Sequence, residues 1–379
     1  MAYNLASMRV QVRSFAKINL GLSIGALRPD GFHELLTVYQ TIGQHDLIHV
    51  NVERGTGIKI RCADPRVPKD ESNTCYRTVE KAMQGLGAKG RVVVDIEKRL
   101  PVQGGMGGAS SNGVAAVIGL ELALKKSLAA EERLRIAAGV GSDLPLFLVG
   151  GTVLGVGRGE QVFPLEDLPA LHCVVVTPEV GVSTPRAFAE WDRRVQGLMP
   201  FSSVGADAAL KRRSSTALQG SAVAAKTAGL SPAWTGKSAR PYTGSADTRV
   251  GKLTLTAASD RMVKLGRGFS AWLGEMYSGA PSRRGRRENP LLELVRAGIK
   301  NDFEEVVFPE YPELSEGKSA LERAGAKYAS LSGSGSTLYG LFASKEAARA
   351  AVAKLRKQGW TAQATVTLPR REYWKKMLG

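Results

Sequence analysis

Residues 100–117, LPVQGGMGGASSNGVAAV, constrain the fold most strongly, because four of the five residues from Gly104 to Gly108 are glycine. Glycine adopts unusual backbone dihedrals and lets main-chain N–H groups approach a ligand closely. We predict a helix that begins at Ser110–Ser111, with its free N–H groups and positive dipole end facing the loop. Loop and helix together predict a cradle for phosphate, in which the two hydroxyls cap the helix or contact phosphate oxygens and a Mg²⁺ shell. A serine-capped turn without a ligand is the alternative.

The spacing of these glycines excludes two familiar nucleotide loops. A dinucleotide-binding loop needs G-x-G-x-x-G/A, and the third position falls on Ser110. A Walker A loop needs G-x-x-x-x-G-K-S/T; Gly236, Lys237 and Ser238 match its end, but Ser231 stands at the required first glycine.

Three other segments carry side chains that would complete a site around the loop. In FAKINL, Lys17 and Asn19 alternate along a predicted strand and therefore face the same way. Asp143 lies at the predicted start of a helix in GSDLPLF, and Phe32 and His33 lie in a glycine-centred turn, RPDGFHEL. Taken one at a time, a solvated lysine, a helix N-cap and an ordinary histidine are the alternatives.

Basic residues concentrate in one segment. The chain has 52 Lys and Arg against 35 Asp and Glu, a formal net charge of +17. Residues 195–287 hold 15 Lys and Arg against 4 Asp and Glu, so +11 of that charge lies there. This Ser-, Ala- and Gly-rich segment predicts a basic, partly flexible insertion between two ordered regions. A nucleic-acid-binding arm is the alternative, but the aromatic residues are scattered, and we therefore expect no nucleic-acid partner.

The cysteines and the apolar runs indicate the compartment. Three cysteines, Cys62, Cys75 and Cys173, form no CxxC pair, so neither a disulfide framework nor a paired-cysteine zinc site is predicted. The longest apolar stretch, 144–157, is shorter than the ~18 residues of a membrane span and is broken by glycine. With no signal-peptide pattern at the N-terminus, we expect a cytoplasmic protein without membrane contact.

Strands and helices mix without the strict alternation of a doubly wound sheet, which favours an α+β fold with two lobes. Alternating apolar residues predict two separate strands over 9–15 and 18–24. Helical spacing predicts helices in the following segments: 73–87, 131–140, 260–277, 290–299 and 345–359.

Five motifs in order resemble one enzyme family. LPVQGGMGGASSN and SGSGSTLYGLF (332–342) are similar to the phosphate-binding and C-terminal glycine-rich motifs of the GHMP kinases, small-molecule kinases such as galactokinase, homoserine kinase and mevalonate kinase. The segments FAKINLGLSIGALRPDGFHELLTVYQTI, GSDLPLFLVGG and NDFEEVVFPEYPEL resemble the isoprenoid-pathway branch of that superfamily. The resemblance covers about 1–192 and 289–368, that is, everything except the insertion and the basic tail.

This resemblance implies a fold, a reaction and a partner. It implies an N-terminal ribosomal-S5-domain-2-like lobe that binds ATP, over 1–178, and a C-terminal ferredoxin-like lobe, over 179–379, interrupted by the insertion at 195–287. The implied reaction uses ATP and Mg²⁺ to phosphorylate the C2 hydroxyl of a cytidine diphosphate derivative of methylerythritol. We expect the protein to act as a monomer or a homodimer.

The family's functional residues carry over onto matching positions. Lys17 and Asp143 match its catalytic pair, and Ser110 or Ser111 is the one expected protein contact to Mg²⁺. Phe32 matches the ring that stacks on cytosine. The remaining substrate-binding matches are Asn19, His33 and Phe188. The ATP loop falls on Pro101, Val102, Gln103, Gly104, Gly105, Met106, Gly107, Gly108, Ala109, Ser110 and Ser111.

Three positions depart from the family pattern. Gln103 and Ala109 stand where the family usually has glycine, and Gln103 is expected to restrict the loop's dihedral freedom. Phe32 replaces the commoner tyrosine, which keeps the stacking ring and loses a hydroxyl. The alternatives are another GHMP kinase, which the DGFHEL turn disfavours because homoserine and mevalonate have no base to stack, and an inactive relative, which the retained Lys17 and Asp143 disfavour.

Overall fold

The computed structural model describes residues 9–197 and 300–379, and all of them belong to one compact unit. Most of the predicted insertion at 195–287 and the predicted helices over 260–277 and 290–299 lie outside the described residues. The described chain forms two sheets with helices packed against them. This arrangement agrees with the predicted α+β class.

The first sheet is built around a long antiparallel pair. Its strands are β1 (Val10–Leu27), β2 (His33–Glu53), β3 (Ile58–Cys62), β4 (Arg91–Glu97), β5 (Thr152–Gly157) and β6 (Gln161–Pro164). The order is β3-β4-β2-β5-β6, with β1 paired to β2, and only β3 and β4 run parallel.

The predicted break between 9–15 and 18–24 is wrong, because β1 is continuous. Its pairing with β2 shifts register between Phe15 and Lys17 and again between Asn19 and Gly21. The strand therefore bends at these positions instead of ending. Lys17 and Asn19 lie between the two irregularities, so β1 carries both predicted side chains into the site.

Helices that pack with this sheet include α1 (Thr74–Gly85), α2 (Gly108–Leu124), α3 (Ala130–Val140) and α4 (Leu144–Val149), and the C-terminal helix, Arg370–Leu378, packs against β1. Helix α2 lies at the centre and is buried on all sides from Ser111 to Glu121. At Gly119, an added Cβ would lie 2.7 Å from a Val50 methyl on β2, so glycine permits close contact between helix and sheet. This packing fixes the helix that follows the glycine-rich loop.

The second sheet has the order β10-β7-β9-β8 and is antiparallel. Its strands are β7 (His172–Val176), β8 (Tyr328–Leu331), β9 (Leu338–Phe342) and β10 (Ala362–Val366). The helices that follow β7 are α5 (Thr184–Gly197), α6 (Glu304–Glu310), α7 (Pro312–Arg323), α8 (Lys345–Lys357) and α9 (Arg370–Leu378). The division at residue 178 stays a prediction; β7, which precedes it, is a central strand of this second sheet.

An apolar cluster joins the two sheets. Ile18 and Leu20 on β1 and Ile42 on β2 pack with Val175 on β7 and Leu341 on β9, all of them buried. Within the described ranges no helix is long and apolar enough to cross a membrane. The site described next lies where β1 meets the turn between β8 and β9.

Candidate active site

The glycine-rich loop ends at Gly107, and the helix begins earlier than predicted. Helix α2 starts at Gly108, and its N-cap is Gly107, with φ 68° and no side-chain capping bond. The predicted helix start at Ser110–Ser111 and the capping role of these serines are therefore wrong, because a left-handed glycine makes the turn. The first N–H groups of α2 point toward the loop without a side-chain acceptor.

A second glycine-rich turn, residues 332–337, packs directly on the loop. The Thr337 N–H donates to the Gly104 carbonyl over 3.2 Å, and the Ser332 hydroxyl donates to the Gly105 carbonyl over 3.0 Å. Gly105 has φ 74°, and a Cβ added there would lie 2.2 Å from the Ser332 carbonyl oxygen. The two predicted glycine motifs thus form one structure, and only glycine fits at their contact.

Gln103 adopts a left-handed backbone conformation, with φ 60°. Non-glycine residues reach this region at a cost of roughly 1 kcal/mol. The expectation that glutamine restricts the loop therefore has a physical basis in this left-handed conformation. The Gln103 side chain is exposed, and the residue lines the cavity beside the loop.

The two predicted serines differ in position. Ser110 lines a cavity of about 380 Å³ beside the loop. Ser111 is fully buried, and its hydroxyl lies 2.7 Å from that of Ser14. Ser110 is therefore the serine that faces the cavity, whereas Ser111 connects α2 to β1.

Asp46 holds the entrance of the loop in place. Its fully buried carboxylate accepts hydrogen bonds from the main-chain N–H groups of Arg99 and Leu100, each over 2.7 Å. It also accepts from Lys98 over 2.8 Å and from the Asn112 amide over 2.9 Å. One carboxylate thus joins the end of β4 to the first turn of α2.

The 380 Å³ cavity is bounded by the loop on one side and by the segment before α1 on the other. Besides residues 101–110 it is lined by Arg66, Val67, Asn73 and Lys98, among others. Arg66 pairs with Asp64 at 2.7 Å, and this pair lowers the pKa of Asp64 to about 2. The combination of main-chain amides, basic side chains and apolar wall suits a nucleotide.

Lys17 and Asp143 come together although 126 positions separate them in the sequence. The Lys17 Nζ lies 3.7 Å from the Asp143 Oδ2, and it donates to the Asn19 Oδ1 over 2.6 Å. Asp143 is the N-cap residue of α4, but its side chain makes no capping bond. Its carboxylate is one-third exposed and lines a second cavity, described below, so the N-cap alternative does not account for it.

Burial sets the electrostatics of this pair. It lowers the pKa of Lys17 from the usual lysine value, and the neighbouring Asp143 carboxylate opposes that shift. Tyr39 donates its hydroxyl to the Asp143 Oδ1 over 3.2 Å. Burial, and then Asp143, raise the pKa of Tyr39 well above its usual value, so its hydroxyl stays a donor.

A second cavity, of about 630 Å³, opens on the other side of the loop. It is lined by Lys17, Asn19, Asp143, Phe32 and Phe188, together with other residues. It shares Gly105 and Gly107 with the 380 Å³ cavity. A group bound in one cavity therefore meets a group bound in the other across two glycines that carry no side chain.

His33 is held at the wall of this second cavity. Its Nδ1 lies 3.1 Å from the Gly25 carbonyl oxygen, and its Nε2 lies 3.1 Å from the Asp192 Oδ1. The ring stacks on Phe188, with 5.1 Å between centroids and 4° between planes. Phe32 is 51% exposed, and the Arg158 guanidinium lies 4.9 Å from its ring centroid.

Sequence reasoning missed three residues of this site: Tyr39, Arg158 and Asp192. Tyr39 is on β2, in register with Asn19. The alternation along β2 marks it as a core position, and nothing in the local pattern points to Asp143. Asp192 comes one turn after Phe188 on α5, a spacing that places both on one helix face. That spacing was the signal in the sequence that could have identified Asp192. An aspartate at this position is equally typical of a solvent-exposed helix surface.

Groups of three or more His, Cys, Asp or Glu suitable for a metal are absent from residues 9–197 and 300–379. The three cysteines are unpaired, and burial raises the pKa of the Cys75 and Cys173 thiols.

Two family models match the chain. The GHMP kinases N terminal domain matches residues 73–151, and the GHMP kinases C terminal model matches residues 286–359. Both matches contain a glycine motif described above. They confirm the prediction of a two-lobed fold of the GHMP kinase type.

Curated relatives match most of the chain. A 4-diphosphocytidyl-2-C-methyl-D-erythritol kinase of Solibacter usitatus is 31% identical over 336 residues, which cover 89% of this chain and 82% of the relative. A kinase of the same name from Synechococcus elongatus is 30% identical over 356 residues, covering 90% and 88%. One from Rhodococcus jostii is 39% identical over 193 residues, covering 50% and 62%.

Solved structures share the fold. A crystal structure of 4-(cytidine 5'-diphospho)-2C-methyl-D-erythritol kinase superposes with a TM-score of 0.61 at 23% identity, covering 94% of this chain and 99% of that one. A homoserine kinase of Cytophaga hutchinsonii superposes with a TM-score of 0.60 at 17% identity, covering 97% of each chain. At these identities the likeness concerns the fold alone.

Proposed function

Because this chain belongs to the 4-diphosphocytidyl-2-C-methyl-D-erythritol kinases, a branch of the GHMP kinases, we propose that it phosphorylates the C2 hydroxyl of 4-diphosphocytidyl-2-C-methyl-D-erythritol with ATP. This reaction is the kinase step of the methylerythritol phosphate route to isoprenoid precursors. One observation supports the proposal most directly. The Lys17–Asp143 pair lies in a cavity that meets the glycine-rich loop at Gly105 and Gly107.

In this proposal Asp143 orients the hydroxyl and accepts its proton. As the hydroxyl oxygen bonds to the γ-phosphorus, the bond from that phosphorus to the β–γ bridging oxygen breaks. ADP leaves with the electron pair, and the proton passes to the Asp143 carboxylate. Transition states of this kind are loose, so alignment and electrostatic stabilisation supply most of the catalysis. The Tyr39 hydroxyl donates to the Asp143 Oδ1, and Asp143 lines the 630 Å³ cavity.

Lys17 contributes a positive charge to the proposed reaction. Its ammonium group lies 3.7 Å from the Asp143 Oδ2, and it would offset the charge on the phosphoryl group in transfer. Its position is fixed by the bond to Asn19 and by the Lys17 N–H, which donates to the Met106 carbonyl over 3.0 Å. The same strand thus holds the cation and the loop together.

The loop and helix α2 would bind the ATP phosphates through main-chain N–H groups, a role that fits the left-handed glycines at 105 and 107. Mg²⁺ bound with the nucleotide would neutralise charge on its β and γ oxygens. The Ser110 hydroxyl lines the cavity and would contact that ion. With carboxylate clusters absent from the described residues, we propose that phosphate oxygens supply its other ligands.

The 630 Å³ cavity is proposed to bind the cytidyl substrate. Phe32 and Phe188 supply aromatic faces for the base, and His33 supplies a polar edge. Asn19 lies beside Lys17 and would contact the erythritol hydroxyls. A cavity of this size with apolar walls and a few polar groups is typical of a small-molecule site.

A panel of acceptor alcohols tests the substrate. ADP release should require 4-diphosphocytidyl-2-C-methyl-D-erythritol, and homoserine and mevalonate should give only the background rate. Faster turnover with either of those alcohols would refute the assignment.

We also propose the lobe division at residue 178, a cytoplasmic location, and action as a monomer or a homodimer. The unpaired cysteines support a reducing compartment. Sedimentation of the purified chain tests the last point, and a larger assembly would contradict it.

A further inference from the structure

Another cavity, of about 750 Å³, lies where the end of α9 approaches α8, β10 and the first sheet. Its wall includes six basic or protonatable side chains from β1, β2, β7, α8 and α9. They are Arg13, His45, His172, Lys345, Arg349 and Lys376. Asp and Glu are absent from the described residues that line it.

The cations of this cavity lack the carboxylate partners that other basic residues have. Lys98 pairs with Asp46 at 2.8 Å, and Lys318 pairs with Glu304 at 2.6 Å. By contrast, Lys345, Arg349 and Lys376 form no ion pair with any residue in 9–197 or 300–379. The cavity therefore holds several positive charges that form no ion pair with a carboxylate among the described residues.

One acidic side chain lies at the edge of this group of basic residues. Glu346 interacts with His172 and Lys345, but its hydrogen bonds at the start of α8 contribute more to the lowering of its pKa. Two negative charges, on Glu346 and on the main-chain carboxylate of Gly379 that accepts from Arg13, stand against Lys345, Arg349, Lys376 and Arg13, so the cavity keeps a net positive charge.

Helix stability does not explain the positions of two of these cations. Lys345 is the first residue of α8 and Arg349 follows one turn later, near the positive end of the helix dipole. Cations are unfavourable at that end and favourable at the opposite end, where Lys354 and Lys357 lie. Residues whose placement lowers the stability of a helix are expected where a binding site requires their charge.

Contacts within the protein hold the other side of the cavity wall in place. Arg13 donates to the main-chain oxygens of Lys376 and Gly379, which fixes its guanidinium beside the cavity. Phe15 is buried behind the cavity, in edge contact with the His45 ring at 5.1 Å, and the half-buried Val366 contributes an apolar surface. A ligand here would meet positive charge from α8 on one side and from β1 and α9 on the other.

From these observations we propose that the 750 Å³ cavity is a second anion site, which binds a small diphosphate, inorganic or organic. A diphosphate carries more negative charge and more acceptor oxygens than a single phosphate, so it would pair with more of these cations. The half-buried Val366 side chain would contact an apolar part of an organic substituent. This proposal does not depend on the kinase assignment.

Calorimetric titration of the full chain with inorganic pyrophosphate tests the site. The nucleotide cavity is first saturated with a non-hydrolysable ATP analogue, so that pyrophosphate cannot bind there. We expect one binding event, at least tenfold tighter than that of inorganic phosphate. The double variant Lys345→Ala/Arg349→Ala should weaken it at least tenfold.

The matched control is Lys354→Ala/Lys357→Ala, which removes the same charge from the other end of α8. It should change pyrophosphate affinity less than twofold. Arg349→Gln removes the charge and keeps a polar side chain. Its affinity for pyrophosphate tests the site if the double variant does not fold. Absence of binding to the unsubstituted chain, or equal loss in both double variants, would overturn the proposal. So would binding of a single-stranded 12-nucleotide DNA that depends on Lys345 and Arg349 when pyrophosphate does not bind.

Discussion

Replacing Gly105 with alanine should separate the two glycine-rich segments on which the active site depends. Gly105 has φ 74°, and an alanine Cβ would lie 2.2 Å from the Ser332 carbonyl oxygen and 2.9 Å from that of Gly335. Ordinary contacts begin near 3.4 Å, and both obstacles are main-chain atoms. The loop must therefore move by about 1 Å to accept the methyl group.

The cost follows from the structure. The left-handed conformation costs alanine roughly 1 kcal/mol. The displacement breaks the bonds from Ser332 to Gly105 and from Thr337 to Gly104, each worth about 1 kcal/mol. The free energy of unfolding should fall by about 3 kcal/mol. Because a displacement of about 1 Å at a reacting group can cost about 100-fold, kcat/KM for ATP should fall by about that factor.

Urea unfolding and steady-state ADP release measure the two effects. Gly87→Ala is the matched control, because Gly87 also has a positive φ, 54°, with nothing within 4 Å of the added Cβ. It should lose about 1 kcal/mol of stability and keep normal kinetics. If Gly105→Ala loses no more stability and activity than Gly87→Ala, the reasoning about the close contact is refuted.

Three further results are expected. Phe32→Ala should raise KM for the cytidyl substrate about tenfold with little change for ATP, whereas Phe163→Ala, which removes an equally exposed ring (51% each), should change neither; equal effects on both substrates would contradict stacking. Asp192→Asn should raise KM for the cytidyl substrate severalfold and leave kcat unchanged, because the His33 ring loses its charged partner; a fall in kcat alone would count against this. Between the lowered pKa of folded Lys17 and 10.5 the unfolded chain binds more protons, so the free energy of unfolding should rise with pH relative to Lys17→Met, while kcat falls as Lys17 deprotonates. Urea titrations and rates from pH 8 to 10.5 measure the two trends; a free energy of unfolding that does not rise relative to Lys17→Met, together with a constant kcat, would contradict the lowered pKa.

The glycine-rich loop at 104–108 was predictable because its physics is local. Glycine content and a following apolar helix suffice to predict a cradle of main-chain amides. The start of α2 was not predictable, since both glycine and serine begin helices. In the structure Gly107 makes the turn, with φ 68°, and an added Cβ there would lie 2.9 Å from the Phe147 ring, a tertiary contact that the sequence does not show.

The pairing of Lys17 with Asp143 came from resemblance to a family, and residue patterns alone left each with an ordinary alternative. Their distance depends on how β1 and α4 pack around Tyr39, which no local pattern encodes. Asp192 was missed for a related reason. A lone aspartate on a surface helix acquires meaning only when a histidine from β2 lies 3.1 Å away.

The strand prediction failed for an instructive reason. The segments at 9–15 and 18–24 read as two strands because Ala16 and Lys17 interrupt the alternation. In the structure the interruption is a register shift within β1, and buried Lys17 pairs with Asp143 there. The irregularity in the pattern thus marks the site, as expected where function overrides local preference.

The central claim is that Asp143 accepts the proton of a hydroxyl held between the two cavities. Single-turnover phosphoryl transfer to 4-diphosphocytidyl-2-C-methyl-D-erythritol, compared between the unsubstituted chain and Asp143→Asn, tests it most directly. The account predicts a rate at least ~100-fold lower in the variant, with ATP affinity and thermal unfolding unchanged. A rate within a few-fold of the unsubstituted chain would contradict it.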